Sequence, residues 1–346
     1  MNKPGIYPLL NRLSAPFERY RDIHHGFLVC VLIALATTFI ADHYGGPTLL
    51  YALLFGMALH FLSENETCRP GIEFTARSVL RIGVALLGAR MTYTQVESLG
   101  LGPIILVVLS VGVVIVAGGV MARMLGLQRD FGLLSGGAVA ICGASAALAL
   151  SAVMPRHANH ERNTILTVVG VTSLSTIAMV TYPLVVAALD LPDTQAGIFL
   201  GATIHDVAQV VGAGYIISEV TGDTSTLIKL LRVAMLVPVV LLFIAYFRHR
   251  GASPTAGSKL TLLPGFLVAF VILVLVNSFG WIPASASEGL TALSRWCLVA
   301  AIAALGMKTS LEKLAAVGWR PVILMLLETA LLFGLVLGVT LWLGLG

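Results

Sequence analysis

Three short stretches of this chain set chemically capable residues inside otherwise apolar runs. The first is Cys142-Gly143-Ala144-Ser145, preceded by Gly132-Leu-Leu-Ser-Gly-Gly. So many Gly, Ala and Ser residues make a poor continuous helix. An interruption there frees backbone N–H groups at a new helix amino end, which together with the helix dipole favour an anion. Ser145 adds a hydroxyl donor. The same small residues would equally serve tight helix packing.

The second stretch is Gly201-Ala-Thr-Ile-His205-Asp206, continuing through Gln209 to Gly212. Ionisable groups at membrane depth are costly and face a cavity or a partner. Asp206 and His205 therefore read as coupling groups for a proton or cation, with Gln209 on the His205 face if the helix is intact. The structural alternative is an Asp206 neutralised by a nearby cation to lock helices. The third stretch supplies candidates for that cation: Lys229 and Arg232, three apart on one helical face. They pair with Asp206, attract an anion, or snorkel to the interface. Arg77 and Arg81 pose the same choice, and Arg81 lies deeper in its run. The candidate substrate-binding set is thus Cys142, Gly143, Ala144, Ser145, His205, Gln209, Arg81, Lys229 and Arg232. No metal set, catalytic set or cofactor is indicated.

The elements that must position these residues are membrane helices. Of 346 residues 58% are hydrophobic and 11% charged, and the mean hydropathy is +0.95. That excludes a water-soluble domain. Apolar runs recur at 26–41, 46–62, 74–89, 100–122, 131–153, 163–189, 194–218, 225–247, 262–280, 290–307 and 319–343. The expected fold is therefore an all-α polytopic membrane protein with about 10–11 hydrophobic segments. A helical form follows because a lipid-exposed backbone must satisfy its own hydrogen bonds.

The net charge of +4 lies mostly between apolar runs, as orientation in a membrane requires, and does not point to nucleic acid. Four scattered cysteines, Cys30, Cys68, Cys142 and Cys297, form neither a zinc motif nor a disulfide framework. Lys3, Arg12, Arg19 and Arg21 precede the first run; they predict an uncleaved first span with a cytoplasmic amino end.

Punctuating residues match at one constant offset: Arg77 with Arg295, Gly88 with Gly306, Arg90 with Lys308, Gly100 with Gly318 and Pro103 with Pro321. Loop charges orient the two copies oppositely. This reads as one transporter domain over 1–346 with inverted repeat units at approximately 26–153 and 194–346, its interrupted helices crossing or re-entering at the midplane. If 131–153 and 194–218 both cross, the loop with Arg156, His157, His160 and Arg162 falls outside; if both are re-entrant, it falls inside, in better accord with the charge rule.

At these motifs the chain resembles the YeiH-type family of proposed sulfate exporters. The matching elements are Arg81-Ile-Gly-Val-Ala-Leu-Leu-Gly88, Ala140-Ile-Cys-Gly-Ala-Ser-Ala146, Gly201-Ala-Thr-Ile-His-Asp206 with Gln209-Val-Val-Gly212, and Lys229-Leu-Leu-Arg232. That family is distantly similar to sodium/proton antiporters and bile-acid symporters. The resemblance implies a mobile core with a scaffold, and export of a small oxyanion or organosulfonate. The expected partners are a small anionic solute and the lipid bilayer, with room for a homodimer; short loops fit a bacterial inner membrane.

Two other classes compete. An intramembrane serine hydrolase would use Ser145 as nucleophile and His205 as base. Ala146 stands where the rhomboid-type motif needs Gly, and an inverted repeat has no role in that mechanism, so an enzyme is not expected. An anion channel would share the architecture of a carrier.

Overall fold

The computed structural model describes residues 7–92, 94, 97, 100–155, 159–249, 264–308 and 319–344. Lys3, Arg156, His157, Lys313, Gly318 and most of the 248–260 loop lie outside the described residues. The fold is all-helical. Among the described residues six helices are long and apolar enough to cross a membrane: Ile23–Tyr44, Leu101–Met124, His160–Ala188, Glu219–His249, Ser285–Lys308 and Trp319–Leu343. Shorter apolar helices account for much of the remaining hydrophobic sequence, because breaks divide several of the long runs into halves.

The chain forms two compact units. The first comprises residues 1–83 and 293–309. It contains α1 (Tyr7–Tyr44), α2 (Thr48–Ala58), α3 (Arg69–Phe74), a π turn over Thr75–Val79 and the start of α4 (Leu80–Leu87). The run expected at 74–89 is therefore one helix widened by a π turn, a feature common where a helix is locally re-aimed. Glycine contacts bring these helices close: α1 meets α3 at Gly26 and Gly71, where an added Cβ would strike the backbone of the other helix. The His60 ring nitrogen Nδ1 donates to the Met307 carbonyl at 2.6 Å, satisfying an end carbonyl of a long helix of this unit.

The second unit comprises residues 84–292 and 310–346. Its helices are α5 (Leu101–Met124), α6 (Arg129–Ala140), α7 (Ala144–Val153), α8 (His160–Ala188), α9 (Asp193–Thr203), α10 (Val207–Ile217), α11 (Glu219–Ala234), α12 (Leu236–His249), α13 (Gly265–Ser278) and α15 (Trp319–Leu343). Helix α14 (Ala284–Lys308) begins here and continues into the first unit.

Two of the expected apolar segments are interrupted: α6 and α7 are separated by residues 141–143, and α9 and α10 by 204–206. Each pair folds back on itself. For the second pair, the Thr221 hydroxyl near the start of α11 donates to the Asp193 carbonyl, and the Thr221 N–H donates to Ser218 at the end of α10. Gly197 and Gly214, on the two arms, both lie against the stretch Thr221–Ser225. Both ends of this hairpin thus sit beside the first turn of α11, and its tip at Ile204 reaches Lys229 and Arg232 further along the same helix.

The first pair behaves likewise. Gln128 and Phe131 at the start of α6 line one cavity with Asn159 and Arg162, just beyond the end of α7. A Cβ on Gly137 would strike Leu150 across the hairpin.

Four long elements run past both tips. Helix α8 starts at the open end of the first hairpin, passes the second tip at Ser175 and Thr176, and packs Tyr182 against Phe199 at 5.5 Å. Helix α15 takes the same course from Arg320 through Thr329 to Phe333. Helices α11 and α12 run the other way, ending where Tyr246 meets Arg129 of α6. Helix α5 lies along α6 through Gly118 and Gly132, so close that side chains at either position would meet the opposite backbone. At the open end of the second hairpin, Arg90 pairs with Glu219 and Asp223, and Tyr215 donates to Asp223.

Glycine spacing is thus a packing requirement at some positions and not at others. A Cβ on Gly201 would lie 2.5 Å from the Ser225 carbonyl oxygen and 2.8 Å from the Ile228 Cβ, whereas nothing lies within 4 Å of one on Gly112. Gly201→Val is expected to destabilise the protein by roughly 1–3 kcal/mol or more, and Gly112→Ala to be neutral or stabilising by up to about 1 kcal/mol. Thermal unfolding in detergent reads both; equal Tm values for the two variants would contradict this packing.

Candidate functional site

The two hairpin tips meet. Gly143 adopts φ 63, a left-handed conformation that favours glycine, and a Cβ there would lie 3.7 Å from the His205 Cβ. Folding back leaves the last carbonyls of α6 and of α9 without helical partners, deep among apolar helices. Lys229 and Arg232, both fully buried, supply those partners. Lys229 Nζ donates to the Ile141 and Ile204 carbonyls at 2.8 and 3.0 Å. Arg232 donates through Nε to Ala140 at 2.9 Å and through its terminal nitrogens to Val139, Gly201 and Ile204 at 2.8, 3.2 and 2.9 Å. Each side chain bridges both hairpins, and each cation faces the negative ends of two helix dipoles.

The amino ends at the tips differ from one another. At α10, Asp206 is the N-cap: its carboxylate accepts from the Ala208 N–H at 3.1 Å, and its own N–H donates to Ser175 at 2.9 Å. That amino end already holds an anion, supplied by the chain. At α7 the N-cap is Gly143, and no side chain caps it. The first N–H groups of α7 belong to Ala144 and Ser145, a half-buried and an exposed residue. Free N–H groups at the positive end of a helix dipole can receive an anion.

His205 is fully buried between the tips. Its Nδ1 lies 3.1 Å from the Val139 carbonyl, which can only accept, so Nδ1 carries a proton. Nε2 lies 3.1 Å from the Thr329 hydroxyl of α15. Gln209 is buried and donates to Thr176 at 2.8 Å, while its Oε1 has no partner.

The structure thus brings Cys142, Gly143, Ala144, His205, Asp206, Gln209, Lys229 and Arg232 together around the two tips. Ser145 belongs to the same turn, but its side chain is exposed rather than buried with the tips. Arg81 belongs to the first unit and its side chain is exposed. The two cations bond to carbonyls and form no ion pair with Asp206, so that pairing is replaced by the need to satisfy helix ends. The snorkelling alternative is overturned for both by their complete burial.

Sequence reasoning missed Glu328, Thr329, Ser135 and Ser175. Glu328 is fully buried, and Ser135 donates to its Oε1 at 2.7 Å. A signal was present: it is the one acid in the apolar run 319–343, and a lone intramembrane acid marks a functional position.

A bundle of membrane-length helices around two opposed hairpins defines a multipass membrane protein. The chain belongs to the family described as Conserved hypothetical protein 698, which matches residues 25–325. It is 51% identical over 341 residues to a UPF0324 membrane protein of Chlorobaculum tepidum, covering 98% of this chain and 94% of the relative. It is 50% identical over 309 residues to the UPF0324 membrane protein TauZ of Paracoccus denitrificans, covering 89% and 91%. A UPF0324 membrane protein of Rhizobium meliloti is 51% identical over 307 residues, covering 88% of each. No solved structure matches the chain.

If the cations hold the tips by their carbonyls, removing one strands several buried acceptors. Arg232→Met is expected to cost on the order of 3–5 kcal/mol, since hydrogen bonds to charged groups contribute about 1.5–3 kcal/mol each and unmatched buried groups add to the loss. Unfolding in detergent measures it. An Arg232→Met protein as stable as the parent would show that the carbonyls do not depend on this side chain.

Proposed function

We propose that this protein is a secondary transporter, working as an exporter, that moves a small anion such as sulfate or an organosulfonate by alternating access. The observation that carries the reading is the pairing of two buried cations with an uncapped helix amino end where the hairpins meet. Cys142, Gly143, Ala144 and Ser145 form the anion cradle. Gln209 offers an amide from the second hairpin, and Lys229 and Arg232 hold the tips and supply positive field. Asp206 and His205 are the coupling groups, linking anion binding to a proton or cation.

Charge supports an anion: Lys229 and Arg232 stand at the tips beside the uncapped amino end of α7 and supply positive field there.

Orientation follows from charge. Arg123, Arg129, Arg162, Arg248 and Arg320 lie at helix ends near the open end of the first hairpin, while Asp190, Asp193 and Glu219 lie near that of the second. The positive-inside rule makes the first face cytoplasmic, and by the same rule Arg12, Arg19 and Arg21 favour a cytoplasmic amino end. The hairpins then enter from opposite sides, in keeping with inverted repeats and with a binding site near the midplane of a bacterial inner membrane. The bilayer and the anionic solute are the partners of this reading, with a homodimer as its assembly.

Uptake of labelled sulfate and of a labelled small sulfonate into proteoliposomes, with and without a pH gradient, tests the proposal. Saturable flux with counterflow is expected in the parent. Ser145→Leu, which crowds the cradle, is expected to lower it by at least about tenfold, and Asp206→Asn to lose gradient dependence. No flux of either anion in folded parent protein would sink the substrate class, and non-saturating flux would favour a channel.

A further inference from the structure

Glu328 has a role that the hairpin tips alone do not supply. Its carboxyl is fully buried in α15; Ser135 donates to Oε1 at 2.7 Å, and Oε2 has no partner among the described residues. Gly118 of α5 leaves the space that Oε1 occupies, since a Cβ there would lie 2.5 Å from it. Among the described residues no lysine, arginine or histidine forms an ion pair with it. One hydroxyl is scant compensation for a carboxylate in a low-dielectric bundle, and acids held this way at membrane depth mark proton paths.

Its surroundings connect it to the tips. Thr329, the next residue, reaches Nε2 of His205, and Nδ1 of His205 shares the Val139 carbonyl with Arg232. The titratable and charged groups reached through these contacts are His205, Arg232 and, on the same tips, Lys229. Asp206 is engaged in capping α10. On the helices packed beside α15, Arg123, Asp130, Glu161 and Asp193 stand in end turns, away from the tips.

We propose that Glu328 is a further proton-carrying group, taking up and releasing a proton in addition to the coupling pair Asp206 and His205, with Thr329 and His205 linking its state to the hairpin tips. The inference rests on the transport reading for its purpose, but not for its chemistry: the O–H bond at Oε2 forms from an aqueous proton on one side of the membrane and breaks toward the other. A protonated Glu328 leaves the positive field of Lys229 and Arg232 undiminished and favours a bound anion; an ionised one weakens it. Anion binding and protonation of Glu328 therefore favour one another.

Infrared difference spectroscopy of the full chain in lipid, between acid and alkaline pH, reads the proton without any substrate. A protonated-carboxyl stretching band that fades as pH rises is expected in the parent and in Asp206→Asn, and is expected to be missing in Glu328→Gln. A band unchanged in Glu328→Gln, or none in the parent, overturns the proposal. Should Glu328→Gln not fold, Ser135→Ala serves: deleting the one donor to the carboxylate among the described residues is expected to hold the band to higher pH, and a titration like the parent's overturns the proposal. In vesicles with measurable anion flux, Glu328→Gln is expected to lose stimulation by a pH gradient, and retained stimulation is again contrary. A parent with no flux refutes the transport reading alone, and the infrared result still decides the fate of Glu328.

Discussion

A helix that stops inside a bilayer leaves carbonyls with no water to receive them, and that constraint governs this protein. Two helices stop, α6 near Ala140 and α9 near Thr203, and the carbonyls from Val139 to Ile204 converge on Lys229 and Arg232. The cost of burying two cations and the cost of ending two helices offset each other, since neither group is tolerated in hydrocarbon alone. Helix α11 must then lie close enough for both side chains to reach both tips. Gly197, Gly201 and Gly214, where added side chains would collide with Thr224, Ser225 or Ile228, allow that approach.

Function grows out of what this solution leaves over. Once the carboxyl ends are satisfied, the amino ends remain, and the chain treats them unequally. Asp206 fills one from within; Gly143 leaves the other to the N–H groups of α7. The uncapped end of α7, Lys229 and Arg232 at the tips and the buried Glu328 are the features on which the proposed anion transport rests.

Much of this architecture was legible in the sequence, and for physical reasons. The membrane class followed from composition, and the breaks followed from clusters of Gly, Ala and Ser around residues 143 and 201. The direction of the chain after each break could not be read locally, because a crossing helix and a hairpin share the same residues; charge at 156–162 only favoured the second. The partners of Lys229 and Arg232 were equally hidden: an acid was the natural guess, and backbone carbonyls have no sequence signature. Ser145 was named from its motif, and the exposure of its side chain beside the buried tips needed the fold. Glu328 was visible as a lone acid in an apolar run, but its pairing with Ser135 spans 193 residues of chain and required the fold.

The central claim is that both broken helices are hairpins entering from opposite faces. Single cysteines at Gln128, Asn159, Asp190 and Glu219, in a background with Cys30, Cys68, Cys142 and Cys297 changed to serine, test it directly with a membrane-impermeant maleimide applied to intact cells and to inverted vesicles. The account predicts that the positions at 128 and 159 label from one side and those at 190 and 219 from the other. Labelling of 128 and 159 from opposite sides would mean that the first broken helix crosses the membrane, and would contradict the account.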